Sequence, residues 1–170
     1  MQIIININGP INSGKTTVSE ILKQKLTNSF FIEVDDLLSD EEQQKLGLNL
    51  HQGWTERLNR LDSIIKSTEV KKYKYIIFAY PMNEANYQRW KKYENAKTLF
   101  LNITLAPSLN VCLKNRGKRE LDDWEINRIK QMYSENYHNP QNSDLIICND
   151  NQTPEETTAE IIKFLREKFS

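Results

Sequence analysis

The sequence has little from which to build a metal centre, a disulfide framework or a membrane span. Its two histidines, His51 and His138, have no partners at ligand spacing, so a zinc site is not expected. Its two cysteines, Cys112 and Cys148, lie in separate apolar segments and read as buried, reduced thiols of a cytoplasmic protein. No apolar run approaches the length a bilayer requires, so no membrane association is expected. The amino terminus enters a core strand directly, without a charged leader and cleavage site. An excess of charge is missing too: 23 basic side chains balance 23 acidic ones. That balance argues against a broad nucleic-acid-binding face and leaves room only for a local basic groove. Nor is there a repeat, a low-complexity tract or a proline-rich linker. At 170 residues the chain suits one domain, residues 1–170, with a proper core, as a monomer or a homodimer.

What is present is a glycine loop in a telling context. Gly9-Pro10-Ile11-Asn12-Ser13-Gly14-Lys15-Thr16 reads G-x-x-x-x-G-K-T, between the apolar run Ile3 to Ile7 and a helical pattern over Thr17 to Leu26. Strand, glycine loop, helix is the setting that makes this spacing a phosphate-binding loop. Gly9 and Gly14 allow the backbone to curl, so that successive N–H groups and the positive end of the helix face an anion. The expected nucleotide-binding positions are Gly9, Asn12, Ser13, Gly14, Lys15, Thr16 and Thr17. Lys15 supplies a cation for the β- and γ-phosphates of ATP, and the Thr16 hydroxyl is a ligand for Mg²⁺.

Further along, strands alternate with helices. Phe30 to Val34, Tyr75 to Ala79, Thr98 to Ile103 and Asp144 to Cys148 read as strands two to five. Helical patterns cover Asp40 to Leu46, Gly53 to about Lys71, Asn83 to Tyr93, Pro107 to Lys114, Asp122 to about Tyr137, and Thr153 to Phe169. Thr153-Pro154-Glu155-Glu156 is a strong helix start, with a cap, Pro at the first position and Glu at the third. This alternation predicts an α/β fold, a parallel sheet with helices on both faces, whose ligands sit beyond the carboxyl ends of the strands.

That rule selects candidates. Asp35 and Asp36 follow strand two, and a carboxylate there can deprotonate an acceptor hydroxyl or hold water on Mg²⁺. Neighbouring strand residues point apart, so one of the pair reaches the site; Asp36 can instead cap the next helix. No Asp follows strand three, which increases the weight on Asp35. Arg116, Lys118 and Arg119 around Gly117 form a basic segment able to close over a triphosphate as a lid at about residues 115–122; a plain helix end is the alternative. Trp54 and Arg57 share a helix face and can meet a substrate, although such arginines are more often a solvated face. Tyr80 either lines an acceptor pocket or belongs to the core. Trp90 and Trp124, on amphipathic helices, read as core or edge packing.

These motifs together resemble the small-molecule kinases of the phosphate-loop type, the group containing shikimate kinase, gluconate kinase and chloramphenicol phosphotransferase. The resemblance covers nearly the whole chain. It rests on Gly9 to Thr16, Val34-Asp35, Arg116 to Arg119, and Cys148 to Glu156. It implies a three-layer sandwich with strand order 2-3-1-4-5. It also implies that Asp35 activates the acceptor, that Arg116 and Arg119 close on ATP, and that Asn149 through Pro154, including Asp150, pack on adenine. Two features depart from shikimate kinases. Ala79-Tyr80-Pro81-Met82 stands where they have a glycine triplet, and the acids are adjacent rather than spaced Asp-x-Asp.

The expected function is ATP- and Mg²⁺-dependent phosphoryl transfer to a hydroxyl of a small molecule, with Lys15, Asp35, Arg116 and Arg119 as the catalytic set, Thr16 and Asp35 toward the metal, and Asp35, Trp54, Arg57 and Tyr80 toward the acceptor. The alternatives are a nucleotide-binding switch or degenerate kinase, and a nucleotide or polynucleotide 5′-kinase. A guanine-reading switch is disfavoured by the absence of Asn-Lys-x-Asp.

Overall fold

The computed structural model describes residues 1–114 and 120–169. Five parallel strands form one sheet: β1 (Gln2–Asn8), β2 (Ser29–Ile32), β3 (Tyr75–Ala79), β4 (Thr98–Leu105) and β5 (Leu145–Ile147). Their order is β2-β3-β1-β4-β5, which is the order the resemblance implied. The helices are α1 (Lys15–Lys25), α2 (Asp40–Lys45), α3 (Leu50–Lys66), α4 (Glu84–Lys91), α5 (Leu109–Cys112), α6 (Asp123–Ser134) and α7 (Pro154–Phe169). Among the described residues no helix is long and apolar enough to cross a membrane.

The isoleucine run of β1 follows from its central place. Ile3, Ile5 and Ile7 pack with Val18 and Leu22 of α1 and with Ile161 and Leu165 of α7. Ile4 faces the other layer, with Leu58, Leu61 and Ile65 of α3 and Trp90 of α4. A strand covered on both faces has no polar side, and each fully buried Ile contributes about 1.5–3 kcal/mol. That second layer is also pinned by one carboxylate. Asp62 of α3 accepts from Arg89 Nε at 2.8 Å, Trp90 Nε1 at 3.1 Å and the Tyr93 hydroxyl at 3.0 Å. Burial and that carboxylate push the Tyr93 phenol up to about 12.

Several boundaries differ from the sequence reading. β2 ends at Ile32, and Asp35–Leu37 form a 3-10 turn, so Asp35 and Asp36 lie on a turn rather than at the end of a strand. Asp36 caps nothing there; Ser39 caps α2, its hydroxyl accepting from Glu42 N at 3.1 Å. α3 starts at Leu50, three residues before Gly53, because Asn49 and Gln52 form a reciprocal capping box that the apolar periodicity does not register. Cys112 is buried as expected, whereas Cys148 is exposed, since β5 is an edge strand.

Candidate active site

The phosphate loop owes its shape to two glycines. Gly9 has φ 143°, and a Cβ there would approach the Leu105 carbonyl oxygen to 2.5 Å and Ser13 Oγ to 2.7 Å. Gly14 caps α1 at φ 93°, in open space, so its requirement is on the backbone alone. Asn12 takes the left-handed region at φ 65°, which asparagine tolerates. Its amide donates to the carbonyls of Cys112 at 2.8 Å and Lys114 at 2.9 Å, tying the loop to the end of α5. Lys15 Nζ donates to the Pro10 carbonyl at 2.7 Å. No acidic side chain stands in the first turn of α1, so the positive end of the helix is not neutralised by its own residues.

Above this loop lies a cavity of about 480 Å³, lined by Ser13, Gly14, Lys15 and Thr17 and, from the other side, Asn149, Gln152 and Pro154. Asn149, only 4% exposed, donates to the Ser13 carbonyl at 3.1 Å and so joins the two loops. Asn149 Oδ1 and Ser13 Oγ are buried without a hydrogen-bond partner. Two orphaned buried oxygens beside a ring of backbone amides fit a nucleotide, whose amino and phosphate groups can supply the missing bonds. Asp150 is placed elsewhere. Its carboxylate accepts from Ser108 N at 2.5 Å and does not line the cavity, and Gln152 lines it instead.

A second cavity, about 490 Å³, opens on the other side of the loop. Asn12, Lys15 and Thr16 line both cavities. Glu33 and Asp35 line this second cavity. Glu33 was absent from the candidates, yet its carboxylate lines the cleft beside Thr16 and Asp35, and the Thr16 side chain and the Asp35 backbone favour its charged form. The acids are therefore not simply adjacent: Glu33-Val34-Asp35 is an acid-x-acid pair, with Glu where the family pattern has Asp. The early end of β2 hides it, because Glu33 reads from sequence as a polar interruption inside the strand. Burial and the Asp35 charge raise the Glu33 carboxyl above its usual range. Thr16, Glu33 and Asp35 offer hydroxyl and carboxylate oxygens, the hard donors that Mg²⁺ takes alongside phosphates and water.

The far wall of this cleft is aromatic: Trp54, Tyr80, Trp124 and Tyr137. Trp54 and Tyr80 lie 6.1 Å apart, and Tyr80 meets Trp90 edge-on at 5.9 Å, so Tyr80 both bridges to the core and lines the cleft. Burial raises its phenol above the ordinary value. Trp124 departs from the expected packing role. It is 60% exposed at the mouth of the cleft, opposite Leu50, 62% exposed. Two asparagines of β1 hold these walls. Asn6 exchanges two 3.0 Å hydrogen bonds with the Tyr80 backbone. Asn8 accepts from Met82 N at 2.7 Å and donates to the Tyr137 carbonyl at 3.4 Å.

Arg57 does not line this cleft. It is 7% exposed and donates to the Leu38 carbonyl at 2.7 Å and to Gln43 Oε1 at 3.0 Å, over the Trp54 ring at 5.0 Å. It borders a shallower hollow with Asp35 and Asp40. The guanidinium that does line the cleft, among the described residues, belongs to Arg128 of α6, which pairs with Glu135 at 3.2 Å. Nothing in the local sequence marks it out, since its position depends on how α6 crosses the sheet. Arg116 and Arg119, the expected lid arginines, lie outside the described residues.

The family model of shikimate kinase matches residues 11–166. None of the curated proteins matches the sequence. Among solved structures, the chain is similar to shikimate kinase from Aquifex aeolicus, at 20% identity and TM-score 0.59, covering 97% of both chains. It is similar to the tunicamycin resistance protein of Deinococcus radiodurans, at 17% identity and TM-score 0.60, covering 97% of this chain and 96% of that one. An APS kinase of Mycobacterium tuberculosis, solved with AMPPNP and APS, superposes with TM-score 0.64 at 17% identity, over 97% and 98% of the two chains. At these identities the structural matches speak for the fold.

Proposed function

We propose that this chain, which belongs to the shikimate kinase family, moves the γ-phosphoryl group of ATP to a hydroxyl of a small acceptor held against Trp54, Tyr80 and Trp124. Membership of that family makes it a P-loop phosphotransferase of the small-molecule kinase kind. The acceptor and the residue roles are our reading.

One observation carries it: Asn12, Lys15 and Thr16 form a common wall between the two cavities. A nucleotide seated on the loop amides therefore has its terminal phosphate directed at the second cleft, where Asp35 stands. Lys15 leaves the Pro10 carbonyl for the β- and γ-phosphates. Asp35 accepts the proton of the acceptor hydroxyl as its oxygen bonds to phosphorus and the bond from phosphorus to the ADP oxygen breaks. Thr16 and Glu33 would hold Mg²⁺, which would supply neutralisation of the phosphate charge. Catalysis of this kind is positioning plus electrostatics, and Arg116 and Arg119 are the further cations we assign to it.

The aromatic wall supports an acceptor with an apolar or ring-shaped body. Shikimate is not favoured, because of the residues at Ala79 to Met82 and because Arg57 is turned toward the Leu38 carbonyl. A polynucleotide end is not favoured either. Among the described residues the cleft contributes the cations of Lys15 and Arg128, and Arg128 is paired with Glu135. Dependence on ATP suits the cytoplasm. The test is phosphoryl transfer from [γ-³²P]ATP to a panel of neutral hydroxylated aromatic compounds, by the wild-type chain and by Asp35→Asn. Transfer that Asp35→Asn leaves at full speed refutes the assignment of the base.

A further inference from the structure

We infer that the acceptor cleft continues into a second compartment, which takes an uncharged, hydroxyl-rich head group of the kind a glycosyl unit presents. The inference rests on the acceptor reading above and extends it. Beside the cleft lies a hollow of about 480 Å³ between the start of α4 and the chain after α6. The two spaces share a wall. Tyr137 lines both, Pro81 lines the cleft while Met82 lines the hollow, and Arg128 of the cleft pairs with Glu135 of the hollow. Tyr137 is thus the residue past which a long ligand would reach from one space to the other.

The lining selects the chemistry. It holds the amides of Asn83, Asn102, Asn139 and Gln141 and the carboxylates of Glu84 and Glu135, and among the described residues no lysine or arginine. Phosphate and carboxylate groups have no cation there and meet two acids, so an anionic head is disfavoured. Hydroxyls both donate and accept, and amides with carboxylates answer both roles. The floor is rigid. Buried Asn102 donates to the Asn142 carbonyl at 3.0 Å and accepts from Asn6 at 3.0 Å. Asn142 in turn donates to Glu84, which fixes one edge. Asn139 and Gln141 stand exposed on the rim, where they can turn toward a ligand, and Tyr87 and Tyr137 also line the hollow. A space of this size is in the usual range for a small-molecule site.

The test is calorimetric titration of the full chain, without nucleotide, with 4-nitrobenzyl alcohol and with a panel of 4-nitrophenyl hexosides. Two added hydrogen bonds correspond to about tenfold in affinity. At least one hexoside should bind about tenfold more tightly than the alcohol, and the double variant Asn139→Ala/Gln141→Ala should lose most of that gain while binding the alcohol as before. Hexosides that never exceed the alcohol, or a gain that survives the double variant, overturn the second compartment. The titration is independent of catalysis. A hexoside gain without any phosphorylation by Mg·ATP overturns the proposed function alone, and phosphorylation of the alcohol without a hexoside gain overturns the compartment alone.

Discussion

Glu33 and Thr16 line the same cleft, and the Thr16 side chain favours the charged form of the Glu33 carboxyl. Glu33 holds this position at a cost, because burial and the neighbouring Asp35 raise its carboxyl above the usual range. For an acid raised in the folded state, the penalty is full at pH above the folded value and vanishes below the unfolded one, about 4.5. Glu33→Gln should therefore raise Tm at pH 8. At pH 4 the gain should be absent. The same variant should need more Mg²⁺ for half-maximal turnover. Thermal melts at the two pH values and a Mg²⁺ titration of activity check both expectations.

Asp35 is exposed on its turn and borders the cleft. Asp35→Asn keeps the shape and removes the proton acceptor we propose. Turnover should fall by about 10²–10⁴-fold, the usual contribution of a general base. Binding of Mg·ATP, followed by calorimetry, should change little by comparison.

Gly9→Ala places a methyl group against the Leu105 carbonyl, 2.5 Å from the ideal Cβ, at a φ of 143°. Strain of this kind costs on the order of 1–3 kcal/mol. A lowered Tm together with weakened Mg·ATP binding is expected. Gly14→Ala meets no neighbouring atoms and should disturb stability less.

The Arg57 guanidinium lies over the Trp54 ring at 5.0 Å, yet truncating Arg57 and truncating Trp124 should have different consequences. Arg57→Ala leaves the Leu38 carbonyl and Gln43 without their donor, a loss of about 1–3 kcal/mol, while the acceptor KM should hardly move. Trp124→Ala removes a side chain 60% exposed in the folded state. Its Tm should stay within about 2 °C, and the acceptor KM should rise. Melting curves and steady-state kinetics on the same acceptor separate the two.

The sheet and the nucleotide loop were legible because their signals are local. A β-branched run, a glycine loop and a capped helix each depend on neighbours within a few residues, and together they imply the layers and the place of the site. Capping boxes at Asp122-Glu125 and Thr153-Glu156 formed as their spacing suggests. The acid-x-acid pair was written in the sequence too, at Glu33-Val34-Asp35, but its meaning depended on where β2 stops. That boundary is set by pairing with β3, which ends at Ile32↔Phe78, and strand pairing is a long-range contact.

The chain's own order of residues determined a parallel α/β sheet, a phosphate loop at its centre and an acid after the second strand, since each follows from backbone preference and short-range hydrophobic pattern. Only tertiary structure decided the acceptor side. It turned Arg57 inward, brought Trp124 and Arg128 from α6 to face Trp54 across the cleft, and placed Asn6 and Asn8 beneath Tyr80 and Tyr137. The two asparagine contacts join residues 74 and 129 positions apart, and side-chain orientation across such distances comes from packing, which no local pattern encodes.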